Sequence, residues 1–365
     1  MINVTKTYLP NLEKFKEYVE KIYTSGQVTN NGSLVRELED RLSKYLGVNN
    51  IIIVANGTLA LEVAYKALNL SGQVITTPFT FIATASSLKS SNLMPVFADI
   101  DPKTFNIDPG KIENLITEKT SALLPVHVFG APCNVEEISA IASRNNLKVI
   151  YDACHTFGVN LINDNGDLNS ILNYGDISTL SFHATKLFHT IEGGAIVTND
   201  NQLAEKIRLI INFGISGPSK IELLGINAKM NEFQAAMGLC VLDDIDEIFL
   251  KRQTIYERYL NSLCGCVQMQ TIDKRMTQNF SYFPALFANE KELLDVEFAL
   301  NKANIFPRRY FHPSLDTLDF LSKTQVCEVS RDIASRILCL PIYPELTSQD
   351  QNQIINLIQQ NLSNK

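Results

Sequence analysis

Residues 51–61 read Ile-Ile-Ile-Val-Ala-Asn-Gly-Thr-Leu-Ala-Leu, and this stretch decides the fold class. The apolar run from Ile51 to Val54 has the length of a strand that is buried on both faces. The residues that follow repeat at the spacing of one helix face, with apolar positions at Ala60, Val63, Ala64, Ala67 and Leu68. The stretch therefore predicts a strand that leads directly into an amphipathic helix.

The same alternation continues for about 150 residues after this first unit. Further strands are predicted at 74–76, 95–98, 122–126, 149–151, 178–182 and 195–198. Helical patterns lie between several of them, over 135–144 and 202–212. Because short buried strands alternate with helices, we expect an α/β fold with a mostly parallel sheet that is covered on both faces.

The pattern changes from Asn231 onward, where helix predominates. We expect a long, bent helix over 232–263, then a strand-like run over 280–287. The remaining predicted elements are a helix over 290–303, a short strand near Ile305, and helices near Ser330 and over 348–362. This pattern predicts a large domain over residues 1–245, including the N-terminal segment, and a smaller α+β domain over residues 246–365.

Composition excludes several classes of protein. The 365 residues are 45% hydrophobic and 19% charged, which is typical of a folded globular protein. A net charge of −7 argues against a nucleic-acid partner. We find neither a membrane-spanning apolar run nor a secretion signal, so we expect a cytoplasmic protein. The seven cysteines and five histidines lack metal-ligand spacing, so we expect reduced thiols and no metal.

A lysine and an aspartate carry the main chemical signal. Lys186 follows the alternating strand at 178–182 and precedes the turn at Gly193-Gly194, where paired glycines indicate a backbone geometry closed to other residues. Such a lysine is either solvated at the surface or partly desolvated, with a lowered pKa that frees its amine for a Schiff base. Asp152 ends another predicted strand, where α/β sheets bind ligands. Together these are the two protein groups that pyridoxal phosphate requires.

Other residues supply a candidate phosphate site and a stacking group. Gly57 and Thr58 open a helix directly after a strand, where backbone N–H groups suit a phosphate, although the segment also fits a simple turn and cap. Ser181 would add a hydroxyl to the same phosphate. Phe81 is either a core aromatic or a ring that stacks on the cofactor.

The combination of these segments resembles the DegT/DnrJ/EryC1/StrS sugar aminotransferases, which have the aspartate-aminotransferase fold (fold type I). The resemblance runs from about Thr24 to the C-terminal helix. The segments that carry it lie at 56–61, 77–84, 95–100, 124–130, 152–155, 181–186, 192–194 and 225–232.

The resemblance implies a role for each matching position. Lys186 would be the Schiff-base lysine that also moves the proton, and Asp152 would pair with the pyridine nitrogen. His155 stands where many members have a glutamine that contacts the phenolic oxygen of the cofactor. Asn227 matches an asparagine that reaches the phosphate of a neighbouring subunit, which implies a homodimer with shared active sites. Cys154 replaces a residue that is usually alanine, and Lys229, a candidate substrate contact, stands where arginine is frequent.

Finer matches at 28–32, 175–186 and 190–194 are similar to members that aminate C4 of dTDP-4-keto-6-deoxyglucose, with L-glutamate as donor and 2-oxoglutarate as product. This likeness implies a role in bacterial surface glycan (O-antigen) biosynthesis. Thr29 and Asn30 match a segment that contacts substrate in relatives. A basic-aromatic cluster in the predicted small domain is either a surface loop or a contact for the nucleotide: Arg308, Arg309, Tyr310 and His312. Amination at C3, dehydration or racemisation, and a catalytically silent binding protein on the same fold all remain open.

Overall fold

The computed structural model describes residues 1–321 and 325–363. The predicted small domain also includes residues 322–324 and 364–365, which lie outside the described residues. The helices are α1 (Leu12–Ser25), α2 (Ser33–Leu46), α3 (Gly57–Ala67), α4 (Ile82–Ser90), α5 (Val135–Asn145), α6 (Asn201–Ile210), α7 (Glu232–Asp243), α8 (Ile245–Leu263), α9 (Glu290–Lys302), α10 (Glu328–Arg336) and α11 (Ser348–Ser363).

The strands are β1 (Ile2–Asn3), β2 (Asn50–Val54), β3 (Gln73–Thr76), β4 (Met94–Phe97), β5 (Thr120–Leu124), β6 (Lys148–Asp152), β7 (Asn160–Ile162), β8 (Leu168–Ser170), β9 (Ile177–Ser181), β10 (Gly194–Thr198), β11 (Ile215–Gly217), β12 (Lys220–Ile221), β13 (Pro284–Leu286), β14 (Ile305–Phe306) and β15 (Ile337–Cys339). Seven of them form the central sheet, in the order β2-β10-β9-β6-β5-β3-β4.

The central sheet is mostly parallel, as the sequence predicts. Only β10 runs antiparallel to its two neighbours, β2 and β9. Alternate residues of β2 enter two different apolar clusters: Ile51 and Ile53 pack on one face, and Ile52 and Val54 pack on the other. The sheet is therefore buried on both sides, which explains why its strands are continuous apolar runs.

The C-terminal elements enclose an apolar cluster of their own. Residues of α8, α9 and α11 pack with β13 and β15 around side chains such as Leu293, Leu300 and Ile354. The N-terminal tip contacts the same unit, because β1 pairs with β14 and Ile2 packs against this cluster. Within the described residues, no helix combines the length and the apolar character needed to cross a bilayer.

Two elements differ from the sequence-based expectation. The helix expected over 232–263 is divided at Asp244 (φ −102°, ψ 6°), whose carboxylate accepts a hydrogen bond from the Tyr8 hydroxyl. The strand expected over 280–287 is confined to β13. Phe280 has a left-handed backbone (φ 55°), and buried Arg252 binds the carbonyls of residues 280 and 281, so these residues cannot join a strand.

Candidate active site

One cavity of about 310 Å³ lies at the ends of β6 and β9 and the start of α3. Its volume falls within the range of small-molecule sites, roughly 300–1,000 Å³. The parallel strands end at the same edge of the sheet, so residues that are distant in sequence converge there. The residues that line the cavity and enter the argument below include Gly57, Thr58, Thr84, Asp152, Cys154, His155, Ser181, Lys186, Tyr282 and Tyr310.

The carboxylate of Asp152 is held in place by hydrogen bonds. It is buried at the last position of β6. The Thr84 hydroxyl donates to Oδ2 at 2.8 Å, and the Cys154 N–H donates to Oδ1 at 3.3 Å. Thr84 is itself 2.9 Å from the Thr80 hydroxyl. An oriented carboxylate of this kind can accept a hydrogen bond from a protonated ring nitrogen.

Lys186 lines the same cavity as Asp152. Its amine donates a hydrogen bond to the Tyr282 hydroxyl at 3.3 Å. Burial disfavours the ammonium form, but Tyr282, Cys154 and Asp152 outweigh burial and raise the pKa of Lys186 above its ordinary value. The expectation of a lowered pKa for Lys186 was therefore wrong. The physical reason is that Tyr282, Cys154 and Asp152 surround the amine and stabilise the ammonium, and the local sequence around Lys186 does not show these contacts.

The candidate phosphate end is built where α3 begins. The Asn56 side chain caps α3 by accepting the Leu59 N–H at 2.9 Å, and Gly57 and Thr58 follow as its first residues. A Cβ on Gly57 would lie 2.9 Å from Cβ of Ser181, so glycine is needed for the helix to approach the end of β9. The serine hydroxyl and the helix N-terminus thus meet at one end of the cavity, an arrangement that suits an anion.

The paired glycines serve a different purpose from the one expected. Neither Gly193 nor Gly194 has a positive φ, so no special backbone geometry requires them. Instead, a Cβ on Gly194 would lie 2.7 Å from the carbonyl carbon of Asn56, and one on Gly193 would overlap the Thr190 hydroxyl. Gly194 is needed because β10 passes directly against the start of α3, whereas the position of Gly193 is crowded by Thr190 and Met230.

His155 is a neutral imidazole with a fixed tautomer. Its Nδ1 accepts the Phe129 N–H at 3.2 Å, and its ring lies parallel to Phe311 with centroids 5.9 Å apart. Burial, together with Lys186 and His127, lowers the pKa of His155 well below 6.5. Because Nδ1 is an acceptor, the proton resides on Nε2, which makes His155 a hydrogen-bond donor to a ligand oxygen.

The remaining candidate residues divide into two groups. Phe81 lines the cavity with 56% of its surface exposed, and Tyr310 also lines it. Arg308 packs near Tyr310, with its guanidinium carbon 5.8 Å from the ring centroid. His312 is exposed beside Arg309 and is not among the lining residues.

Four candidates lie away from the cavity of their own chain. Thr29 and Asn30 are exposed, and neither is among the lining residues. Lys229 donates to Asn227 Oδ1 at 2.9 Å and lies over the Phe213 ring, also outside the cavity lining.

Sequence reasoning missed two polar groups that touch the central pair. Thr84 lies in a segment that was matched to the family, but its contact with Asp152 depends on the orientation of α4. Tyr282 has no local motif and lies 96 residues from Lys186 in the chain. Ser281 and Tyr282 interrupt the apolar run at 280–287, and this interruption is the only signal of Tyr282 in the sequence.

Comparisons with known proteins agree with this geometry. The sequence profile of the DegT/DnrJ/EryC1/StrS aminotransferase family matches residues 11–359. A dTDP-4-amino-4,6-dideoxy-D-glucose transaminase of Shigella dysenteriae is 45% identical, with 98% of each chain covered. The crystal structure of DesI in the presence of its TDP-sugar product superimposes with a TM-score of 0.92 at 30% identity, covering 99% of this chain and 93% of DesI. NtdA of Bacillus subtilis with bound cofactor PMP gives a TM-score of 0.87 at 28% identity, covering 96% and 82%.

Proposed function

We propose that this chain, which belongs to the DegT/DnrJ/EryC1/StrS aminotransferase family, transfers the amino group of L-glutamate to C4 of dTDP-4-keto-6-deoxy-D-glucose. The products would be 2-oxoglutarate and dTDP-4-amino-4,6-dideoxy-D-glucose. The observation that supports amino transfer is that Lys186 and Asp152 line the same cavity. The Shigella transaminase, which is 45% identical with 98% of each chain covered, supports the choice of sugar.

The enzyme is a pyridoxal-phosphate-dependent aminotransferase. When bound, this cofactor supplies an aldehyde that condenses with amines and a ring that withdraws electrons from the attached carbon. We propose that Asp152 pairs with its ring nitrogen and that Nε2–H of His155 donates to its phenolic oxygen. Gly57, Thr58 and Ser181 would hold its phosphate, because they form the anion-suited end of the cavity.

Lys186 would carry the proton in both halves of the reaction. In the first half its amine removes the α-proton of L-glutamate, and in the second half it delivers a proton to C4 of the sugar. Burial disfavours the ammonium of Lys186, but Tyr282, Cys154 and Asp152 outweigh burial and raise its pKa, so the amine must lose its proton before it can act as a base.

Asn227 is proposed to act on the active site of a second copy in a homodimer. It is exposed, and it does not line the cavity of its own chain. Apolar side chains are exposed in the neighbouring hairpin and at the cavity mouth: Phe81 (56%), Phe213 (48%), Ile221 (73%) and Leu224 (81%). An exposed apolar surface of this kind is typical of a protein interface.

Substrate recognition is assigned from the positions of the candidate residues relative to the cavity. Tyr310 contacts the cavity directly, and Arg308 beside it would pair with the diphosphate of the nucleotide. Thr29, Asn30 and Lys229, which lie outside the cavity of their own chain, are proposed to contact the substrate in the active site of a second copy, and His312 is proposed as a peripheral substrate contact. We further propose a cytoplasmic enzyme of O-antigen biosynthesis, built from a cofactor domain (1–245) and a small domain (246–365).

A substrate screen tests this proposal. The purified protein is incubated with pyridoxal phosphate, L-glutamate and one keto sugar at a time, and each product is identified by NMR. We expect amination of dTDP-4-keto-6-deoxyglucose at C4, and we expect Lys186→Ala to lower turnover by at least about 10²- to 10⁴-fold, the usual contribution of a proton carrier. Amination of only the 3-keto isomer would refute the regiochemistry. A colourless protein that ignores glutamate would refute enzymatic function altogether.

A further inference from the structure

The hydrogen bond between Lys186 and Tyr282 has no role in the function proposed above. Tyr282 lines the cavity, and its hydroxyl is 3.3 Å from the Lys186 amine. Its ring centroid is 4.7 Å from that of His155 and 6.0 Å from that of Tyr310. The phenol therefore lies among the groups that surround the reacting amine.

The loop that carries Tyr282 is held by two buried polar side chains. Arg252 of α8 is 5% exposed and donates to the carbonyls of Phe280 at 3.0 Å and Ser281 at 2.5 Å. The Asn279 amide donates to the carbonyls of residues 155 and 157 at 2.8 and 3.0 Å. Burying a guanidinium is costly unless it is hydrogen-bonded, so Arg252 strongly favours this one loop conformation.

A lysine amine needs such a contact because its four-carbon stem is flexible. Ordering a lysine side chain costs up to about 2 kcal/mol of conformational entropy. A phenol hydroxyl accepts a hydrogen bond from an ammonium and donates one to a neutral amine. The contact with Tyr282 is therefore available in both protonation states that a proton carrier passes through.

We propose that Tyr282 is a positioning residue that holds the Lys186 amine whenever this amine is not bonded to the cofactor, and that Arg252 acts through Tyr282 by fixing its loop. This inference rests on the proposed function, in which Lys186 carries the proton. According to this inference, a residue of the proposed small domain positions the amine that carries the proton.

The test uses Tyr282→Phe, which keeps the ring and removes only the hydroxyl. The first measurement follows absorbance while pyridoxal phosphate is returned to the cofactor-free protein at several pH values. The rise in the rate of attachment to Lys186 should move to lower pH in the variant, because the ammonium has lost an acceptor. The second measurement is the half-reaction with L-glutamate alone, which should slow about 10- to 100-fold, as expected for losing a hydrogen bond to a charged group.

The matched control is Tyr256→Phe. Tyr256 packs on the same loop, with its ring centroid 5.4 Å from that of Phe280, but it is not a lining residue of the cavity. Its variant should keep the wild-type pH profile and half-reaction rate. In a double-mutant cycle, Arg252→Lys should slow the half-reaction in wild type and add nothing to Tyr282→Phe.

The outcomes separate this inference from the function on which it rests. If Tyr282→Phe keeps both the wild-type pH profile and the wild-type half-reaction rate, the positioning role is overturned while the aminotransferase assignment stands. If the wild-type protein never attaches the cofactor at Lys186, the proposed function itself fails. Tyr282→Phe decides the inference alone, whatever the effect of Arg252→Lys on folding.

Discussion

Glu232 is a buried carboxylate that links the start of α7 to the start of α2, and its replacement tests this link. It is 1% exposed at the start of α7. Its carboxylate accepts the N–H groups of Leu34 at 2.8 Å and Val35 at 3.1 Å, which caps α2 from outside. Its own N–H donates to the Val28 carbonyl at 3.0 Å. A Cβ on Gly32 would lie 2.6 Å from Oε1, so glycine is required beneath the carboxylate.

The magnitude for Glu232→Gln follows from these two bonds. Hydrogen bonds to charged groups contribute about 1.5–3 kcal/mol each. Glutamine keeps one acceptor but turns an amide N–H₂ toward a backbone donor, so we expect a local loss of about 2–3 kcal/mol. This corresponds to a roughly 30- to 150-fold larger equilibrium constant for local opening around residues 34 and 35, and to faster hydrogen exchange by the same factor. The neighbouring Thr29 and Asn30 should become less ordered, and the KM for the sugar nucleotide should rise.

Hydrogen–deuterium exchange of a peptide spanning residues 28–40 measures the opening directly. A local probe is preferable, because a protein of this size need not unfold in one step. The control is Glu37→Gln, which removes one charge from the exposed face of the same helix and should leave exchange unchanged. Wild-type exchange at residues 28–40 in Glu232→Gln would show that the carboxylate does not stabilise the start of α2.

Three further changes probe the cavity. Thr84→Val removes the hydroxyl donor to Asp152 and should weaken cofactor binding about 5- to 10-fold in an absorbance titration. Because the folded pKa of His155 is lowered, its neutral form stabilises the fold above a pH of about 6.5, and this contribution is lost as the pH falls below that value. The thermal midpoint of His155→Gln should therefore fall less on acidification than that of wild type. Gly194→Ala would force a Cβ to 2.7 Å from Asn56, so we expect roughly 3 kcal/mol or more of destabilisation by thermal denaturation and poor cofactor retention.

The parts of this protein that could be predicted from sequence are those that local pattern controls. Apolar runs of strand length followed by helical spacing predict the alternating order of elements. The ends of parallel strands share one edge of a sheet, so residues that follow different strands converge. Gly57, Asp152, Ser181 and Lys186 all stand at such ends or just beyond them, and the structure places all four around one cavity. Their individual roles stay predictions.

The features that escaped prediction depend on contacts between distant segments. Tyr282 reaches Lys186 only because Arg252, in another helix, binds the carbonyls of the intervening loop. The pKa of Lys186 depends on the balance between burial and the surrounding Tyr282, Cys154 and Asp152. Neither the position of Tyr282 nor the pKa of Lys186 is marked by a periodic pattern or a motif in the sequence. A sequence pattern can therefore identify which groups carry the chemistry, whereas the orientation and charge state of those groups are set by residues that no local signal marks.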